Sequence, residues 1–182
     1  LSQFFQMVFV EVLAGAYPYY AMDSLGLNHQ PGTTPHIWRN DSTSVNCGIL
    51  PGEVAQHTGN ADGGFQNATI RWTAPSSLIQ PAVNITGMLG AGHGGERELW
   101  IVKNAGQPSQ EILFHQDPVY GDIAYNVNVA IAPGDTIDYV QGMGLVFTSE
   151  NSPVYLTITE IPEPVTMTLL GLGGLALLRR RR

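Results

Sequence analysis

The sequence predicts an all-β protein: an antiparallel β-sandwich or jelly roll followed by a short C-terminal hydrophobic helix. Three observations lead to this prediction. Charged residues make up only 13% of the 182 residues, while glycine (21) and proline (12) are frequent, as in short strands joined by turns. Apolar and polar residues alternate in many segments, which is typical of half-buried strands. After residue 161 a single uncharged, apolar stretch approaches the end of the chain.

Residues 1–161 form the predicted β-sandwich body. Its first part, residues 1–65, is expected to be loop-rich with a few short strands, because Gly, Pro, Asn, Asp and Ser dominate residues 17–65. From residue 66 the period-2 alternation strengthens, and Gly- and Pro-containing turns separate the segments. The predicted strands are 68–73, 83–89, 98–103, 111–115, 125–131, 136–140 and 154–159.

The first residues do not have the composition of a secretory signal. The chain begins at Leu1 without a basic leader, and Gln6 and Glu11 interrupt the apolar stretch 4–16. We therefore predict a β-strand there. Because export without a signal peptide is hard to explain, we expect the gene product to extend beyond this end.

Charge is unevenly distributed along the chain. Residues 1–178 contain four basic and 15 acidic side chains, a formal charge of −11. Such a body repels phosphate backbones, so we expect no nucleic-acid partner. Cys47 is the single cysteine, which excludes an internal disulfide and a multi-cysteine metal site, and we predict a small half-buried side chain.

The C-terminal tail, residues 162–182, has three parts in order. Pro162-Glu163-Pro164 cannot sit inside a helix or a strand ladder. Residues 165–178 carry no charge, and as a helix they span about 21 Å against the ~30 Å of a hydrocarbon core. The last residues are Arg179, Arg180, Arg181 and Arg182, which the positive-inside rule keeps in the cytoplasm.

This order resembles the PEP-CTERM sorting signal of exported bacterial proteins. The same tail is also called an ice-binding protein C-terminal domain, a name that need not imply ice binding. The resemblance implies an exosortase-type processing enzyme as partner, transient anchoring in the bacterial inner membrane, and a final location in the cell envelope or outside the cell. A short apolar segment is consistent with a transient anchor and a processing signal.

No catalytic constellation appears in the body, so we expect a protein that is not an enzyme. The glycine-rich segment 90–95 precedes a strand and not a helix, which predicts an inter-strand loop with an exposed His93. Five histidines lack metal-ligand spacing, so no metal site is predicted from them. No cofactor is expected either, although Asp62, Asp135 and Asp138 are weak candidates for a structural Ca²⁺ and read equally well as turn residues.

The aromatic residues raise a second hypothesis, carbohydrate binding. Trp38 and Trp100 are the candidates for stacking against a glycan, whereas Trp72 is in phase with Ile70 and is expected in the core. Trp100 lies opposite in phase to its neighbours, and because only one face of a sandwich strand is buried, the pattern leaves open which of the two faces is exposed.

The body also resembles a pattern that recurs in secreted planctomycete-type proteins. The resemblance spans residues 48–161 and rests on Pro51-Gly52-Glu53 with His57, on 68–75, on Val102-Lys103-Asn104 and on 133–140. It implies a jelly roll similar to carbohydrate-binding modules and transfers no ligand residue. We therefore expect a non-catalytic surface or matrix module; the alternatives are a carbohydrate-binding module for an extracellular polysaccharide and a hydrolase with a loop-built site.

Overall fold

The computed structural model describes residues 25–27, 36–40, 42–59, 67–143 and 151–161. Within these ranges the chain forms ten strands and no helix, which confirms the predicted all-β fold. The strands are β1 (Leu25–Leu27), β2 (His36–Arg39), β3 (Val54–His57), β4 (Ala68–Thr73), β5 (Ala82–Leu89), β6 (Arg97–Lys103), β7 (Glu111–Val119), β8 (Ile123–Ala130), β9 (Thr136–Met143) and β10 (Ser152–Glu160).

The strands are divided between two sheets. The six-stranded sheet has the order β1-β2-β3-β10-β5-β8, and the four-stranded sheet has the order β4-β9-β6-β7. The β1–β2 pair is parallel, and the other pairs are antiparallel. From β3 onward the chain passes from one sheet to the other at every connection except β6–β7, which is a hairpin within one sheet.

Apolar side chains from both sheets pack together between the sheets. Along β5, for example, Val83, Ile85 and Leu89 are buried, while Asn84 and Thr86 on the other face are partly exposed. This alternation is the one predicted from the sequence, and each fully buried Val, Ile or Leu contributes about 1.5–3 kcal/mol. The cluster contains Ile37, Ile70, Ala74, Val83, Ile85, Leu89, Leu99, Ile101, Ile123, Tyr125, Val129, Ile131, Ile137, Tyr139 and Ile158.

The loop-rich first part contributes a smaller cluster of its own. Trp38, Ile49 and Ala55 are buried together, and Cys47 packs against them half-buried, as predicted. The indole Nε1 of Trp38 donates a hydrogen bond of 2.8 Å to Oδ1 of Asn151. Since Asn151 immediately precedes β10, this bond ties the first part of the chain to the last strand.

Strand β7 is longer than the predicted 111–115 and reaches Val119 through two bulges. Leu113 is the extra residue between two pairs of the β6–β7 ladder, and further along Asp117 and Pro118 together lie opposite Glu98. Proline has no N–H to donate and is tolerated on edge strands and at bulges. Pro118 satisfies both conditions, because β7 is an edge of its sheet.

Two predicted elements lie outside the described residues: the strand at 4–16 and the apolar helix at 165–178. In the described part of the chain, no helix is long and apolar enough to cross a membrane.

Candidate functional site

The point from which the C-terminal tail departs is described, although the tail is not. The sorting motif Pro162-Glu163-Pro164 and the arginine cluster lie outside the described residues. Strand β10 ends at Glu160, and the next residue, Ile161, donates its backbone N–H to the carbonyl of Ala82 over 3.0 Å. Because β10 lies between β3 and β5, the tail starts directly after an internal strand of the six-stranded sheet.

A group of polar side chains lies on the outer face of the four-stranded sheet, and we call it the β6–β7 cluster: Glu98, Trp100, His115 and Asp117. Trp100 and His115 are direct cross-strand partners, and their rings stack with centroids 3.5 Å apart and an interplanar angle of 16°. Nε2 of His115 lies 2.8 Å from Oε1 of Glu98 and 3.7 Å from Oδ1 of Asp117. One imidazole nitrogen therefore faces two carboxylates.

Neighbouring residues hold the β6–β7 cluster in place. Glu98 pairs across the sheet with Gly142 of β9, and a Cβ at that position would come within 2.5 Å of Oε2 of Glu98. Because Gly142 has no side chain, the Glu98 carboxylate has room to lie over β9. Asp117 lies two residues after His115 on β7, so the two side chains are on the same face of the strand. The side chain of Asp117 is 86% exposed.

The sequence did not predict the β6–β7 cluster, because its histidine has no metal-ligand spacing to another. Two short sequence motifs do indicate the β6–β7 cluster once the strands are known. Glu-x-Trp at 98–100 and His-x-Asp at 115–117 each place two side chains on one face of a strand, and a hairpin joins the two strands. The cross-strand register that brings them together depends on the two bulges, which the sequence pattern does not determine.

A second surface, on the outer face of the six-stranded sheet, is polar and uncharged. We call it the Asn/Thr face. It consists of two cross-strand rows on β10, β5 and β8: Thr157–Thr86–Asn126 and Thr159–Asn84–Asn128.

Hydrogen bonds order the side chains of the Asn/Thr face. Nδ2 of Asn84 donates to Oδ1 of Asn126 and to Oδ1 of Asn128, each over 2.7 Å. These bonds use only the oxygens of the two β8 asparagines, which are both exposed, so their amide N–H groups can donate to a ligand.

Tyr155 lies on the same face as Thr157, two residues earlier on β10, and is 41% exposed. Its hydroxyl donates to Oε1 of Glu53. This hydrogen bond, with burial and the charge of Glu53, raises the pKa of Tyr155 to about 12. The tyrosine ring therefore lies at one end of the Asn/Thr face with its hydroxyl fixed.

The two predicted stacking residues, Trp38 and Trp100, lie in different environments. Trp38 is 0% exposed and belongs to the smaller core cluster, so its ring offers no surface to a glycan; its apolar neighbours and its bond to Asn151 explain the burial. Trp100 does lie on an outer face, yet His115 covers one side of its ring. Trp72 packs against the main core, as expected.

Protein donors already bind the carboxylates of two calcium candidates, and Asp62 lies outside the described residues. Nε and Nη2 of Arg71 donate to the two oxygens of the buried Asp138, each over 2.6 Å. Asp135 accepts from Asn104, from the backbone of Ala132 and from Lys103, and its bond from Asn104 contributes most to lowering its pKa. A calcium ion at either residue would have to displace these donors, and the calcium site stays a prediction.

The segment 90–95 is the predicted inter-strand loop, between β5 and β6, and His93 in it is exposed. Below it the fully buried guanidinium of Arg97 donates to the carbonyls of Gly95, Tyr120 and Gly121, which fastens the loop to the β7–β8 turn. The buried guanidinium of Arg97 therefore stabilises the fold by binding these backbone carbonyls.

The fold and the surfaces define the body as a two-sheet, β-sandwich-like domain. The comparison with protein families adds the tail: residues 160–182 match the family model of the PEP-CTERM protein-sorting motif. That motif indicates an exported protein that an exosortase-type enzyme processes after transient membrane anchoring. The match gives no support to ice binding. No curated protein matches the chain.

Proposed function

We propose that this chain is an exported cell-surface or extracellular-matrix protein whose body is a non-catalytic interaction module. The observation that carries the proposal is the sorting motif at 160–182, which begins where β10 ends. The apolar segment 165–178 holds the chain in the inner membrane, and the arginine cluster stays in the cytoplasm. Processing by the exosortase-type enzyme then separates the body from this anchor.

The strand orders support a finer proposal, a jelly roll. The eight strands from β3 to β10 form two groups of four, β3-β10-β5-β8 and β4-β9-β6-β7. A jelly roll consists of eight antiparallel strands in two sheets, built from two Greek keys. On this basis β1 and β2 are additions at the edge of the six-stranded sheet.

A second candidate function is recognition of a neutral extracellular polysaccharide through the Asn/Thr face. The amides of Asn126 and Asn128 and the hydroxyls of Thr86 and Thr157 supply hydrogen bonds to sugar hydroxyls, and the two rows contain no charged side chain. At its end the ring of Tyr155 provides a surface on which a sugar ring packs. The net acidity of the body disfavours polyanionic polymers.

Fractionation of cells tests the sorting proposal. The chain is expressed behind an added export signal in a bacterium with an exosortase-type enzyme, with and without residues 162–182. We expect the full chain in the envelope or medium, and the truncated chain to lose membrane association and processing. The matched control replaces Arg39, outside the motif. Unchanged processing of the truncated chain would contradict the proposal.

A binding assay on immobilised neutral polysaccharides tests the glycan proposal. Asn126→Ala and Tyr155→Ala should each weaken binding about tenfold. Trp100→Ala, on the other sheet, serves as the matched control and should leave binding unchanged. If the two Asn/Thr-face variants bound the polysaccharide as strongly as the control, the proposal that this face binds glycans would be contradicted.

A further inference from the structure

We propose that Glu98, His115 and Asp117 form a binding site for a divalent transition-metal ion of the Zn²⁺ type at the edge of the four-stranded sheet. This site lies on the opposite sheet from the Asn/Thr face and is independent of the glycan proposal.

The distances between the three side chains fit a single ion. One ligand atom from each residue can be chosen such that all three lie within 4.8 Å of one another. The His115 nitrogen is 2.8 Å from the Glu98 oxygen and 3.7 Å from the Asp117 oxygen. Two ligand atoms that each lie 2.0–2.2 Å from a tetrahedral Zn²⁺ are about 3.4 Å apart, a value between these two distances. To reach this value, the His115–Glu98 distance would have to widen by about 0.6 Å and the His115–Asp117 distance to shorten by about 0.3 Å, and the two carboxylates would adjust with them.

The surroundings fix two of the three ligands before an ion arrives. Trp100 stacks on the imidazole of His115, which holds the ring with Nε2 toward the carboxylates. Gly142 leaves the space in which the Glu98 carboxylate lies. Preorganisation of this kind lowers the entropic cost of ordering ligands around a metal.

The donor set also selects the class of ion. An imidazole with two carboxylates suits Zn²⁺ and similar first-row metals, whereas Ca²⁺ and Mg²⁺ prefer oxygen ligands alone. Asp117 is 86% exposed, so the site opens to solvent and keeps a position for water or a further ligand. The formal charge of −11 on residues 1–178 favours the approach of a cation.

The direct His115–Glu98 contact is the alternative to a bound ion at this position. A saturable zinc titration distinguishes the two. The purified full chain in a mild detergent is stripped with a chelator, dialysed and titrated with Zn²⁺ at pH 7.5, and binding is followed by calorimetry and by tryptophan fluorescence. We expect one ion per chain. Because Trp100 stacks on His115, binding should also change the tryptophan fluorescence, and EDTA should reverse this change.

Variants identify the ligands. His115→Gln, Glu98→Gln and Asp117→Asn should each lower the zinc affinity at least tenfold. Gly142→Ala should lower it about tenfold because the added methyl group displaces Glu98. His93→Gln removes an exposed histidine elsewhere and should leave the affinity unchanged.

The proposal would be overturned by a lack of saturable binding to the wild-type chain, or by an affinity in His115→Gln equal to that of the wild type. Asp117→Asn keeps the test decisive if another variant fails to fold, because so exposed a side chain contributes little to packing. An affinity unchanged in both carboxylate variants would reduce the site to one histidine and would also refute the three-ligand proposal.

Discussion

The Arg71–Asp138 ion pair links β4 to β9, and its removal should cost a measurable part of the stability of the body. The two residues are direct cross-strand partners, and the side chain of Asp138 is 0% exposed against 13% for Arg71. Asp138→Ala removes both carboxylate acceptors and leaves the arginine charge in a nearly dry site.

Removal of one partner from a buried ion pair costs about 3–5 kcal/mol. The small exposure of Arg71 lets water reach the guanidinium, so the expected loss is at the lower end, about 3 kcal/mol. For a domain of this size 1 kcal/mol corresponds to about 2–4 °C, so the melting temperature should fall by about 6–12 °C.

Urea unfolding of the full chain in detergent, followed by tryptophan fluorescence, measures this loss. Glu111→Ala is the matched control, since it removes an exposed carboxylate from an edge strand and should change the free energy of unfolding little. The double variant Arg71→Met/Asp138→Leu should recover at least half of the loss, because a well-packed apolar pair can replace a buried ion pair. A loss below about 1 kcal/mol in Asp138→Ala would show that water already screens the pair.

Three further predictions concern the fold and its ionisable groups. A Cβ at Gly87 would overlap the backbone oxygen of Tyr155, which accepts a bond from the Tyr125 hydroxyl, so Gly87→Ala should lower the free energy of unfolding by about 1–3 kcal/mol. Gly121→Ala, where the added Cβ meets open space, is its control in urea unfolding, and equal losses would contradict the packing. The pKa of Asp135 is lower in the folded protein than in the unfolded chain, where it is about 3.9. The ionised carboxylate therefore stabilises the fold fully above about pH 3.9, and this stabilisation is lost as the pH falls through the folded pKa. Melting scans below pH 5 should therefore show a smaller loss on acidification in Asp135→Asn than in the wild type, and parallel curves would refute the assignment. Millimolar Ca²⁺ should leave the melting temperature unchanged, since Arg71 and Lys103 already neutralise Asp138 and Asp135, and a calcium-dependent rise abolished by Asp138→Asn would instead establish calcium binding at Asp138.

The strands from β4 to β10 could be predicted because alternation along each segment reports which face is buried. Ile70 and Ile85 are buried where the pattern places them, and Trp100 lies on the face opposite to the buried Leu99 and Ile101, as its phase requires. Edge strands carry a weaker signal: β7 is mostly exposed on both faces, so its extension to Val119 was missed. Burial on one face is what produces the alternation, and without it the pattern fades.

The position of Trp38 could not be predicted for a different reason. Its segment is short and surrounded by turn-forming residues, so nothing local indicates burial. The indole is buried because Ile49, Ala55 and Asn151, all distant in sequence, meet around it. The β6–β7 cluster depends likewise on long-range register, and a bulge shifts this register without changing the local pattern.

The mass of the mature protein shows whether the C-terminal tail is a sorting signal that is removed. The full gene product is expressed in a bacterium with an exosortase-type enzyme, and the protein in the envelope or medium is analysed by intact mass spectrometry and by its C-terminal peptide. We expect a mature chain that has lost the apolar segment 165–178 and the arginine cluster after it. Recovery of the exported body with Arg182 still at its C-terminus, in a strain that processes other substrates, would contradict it.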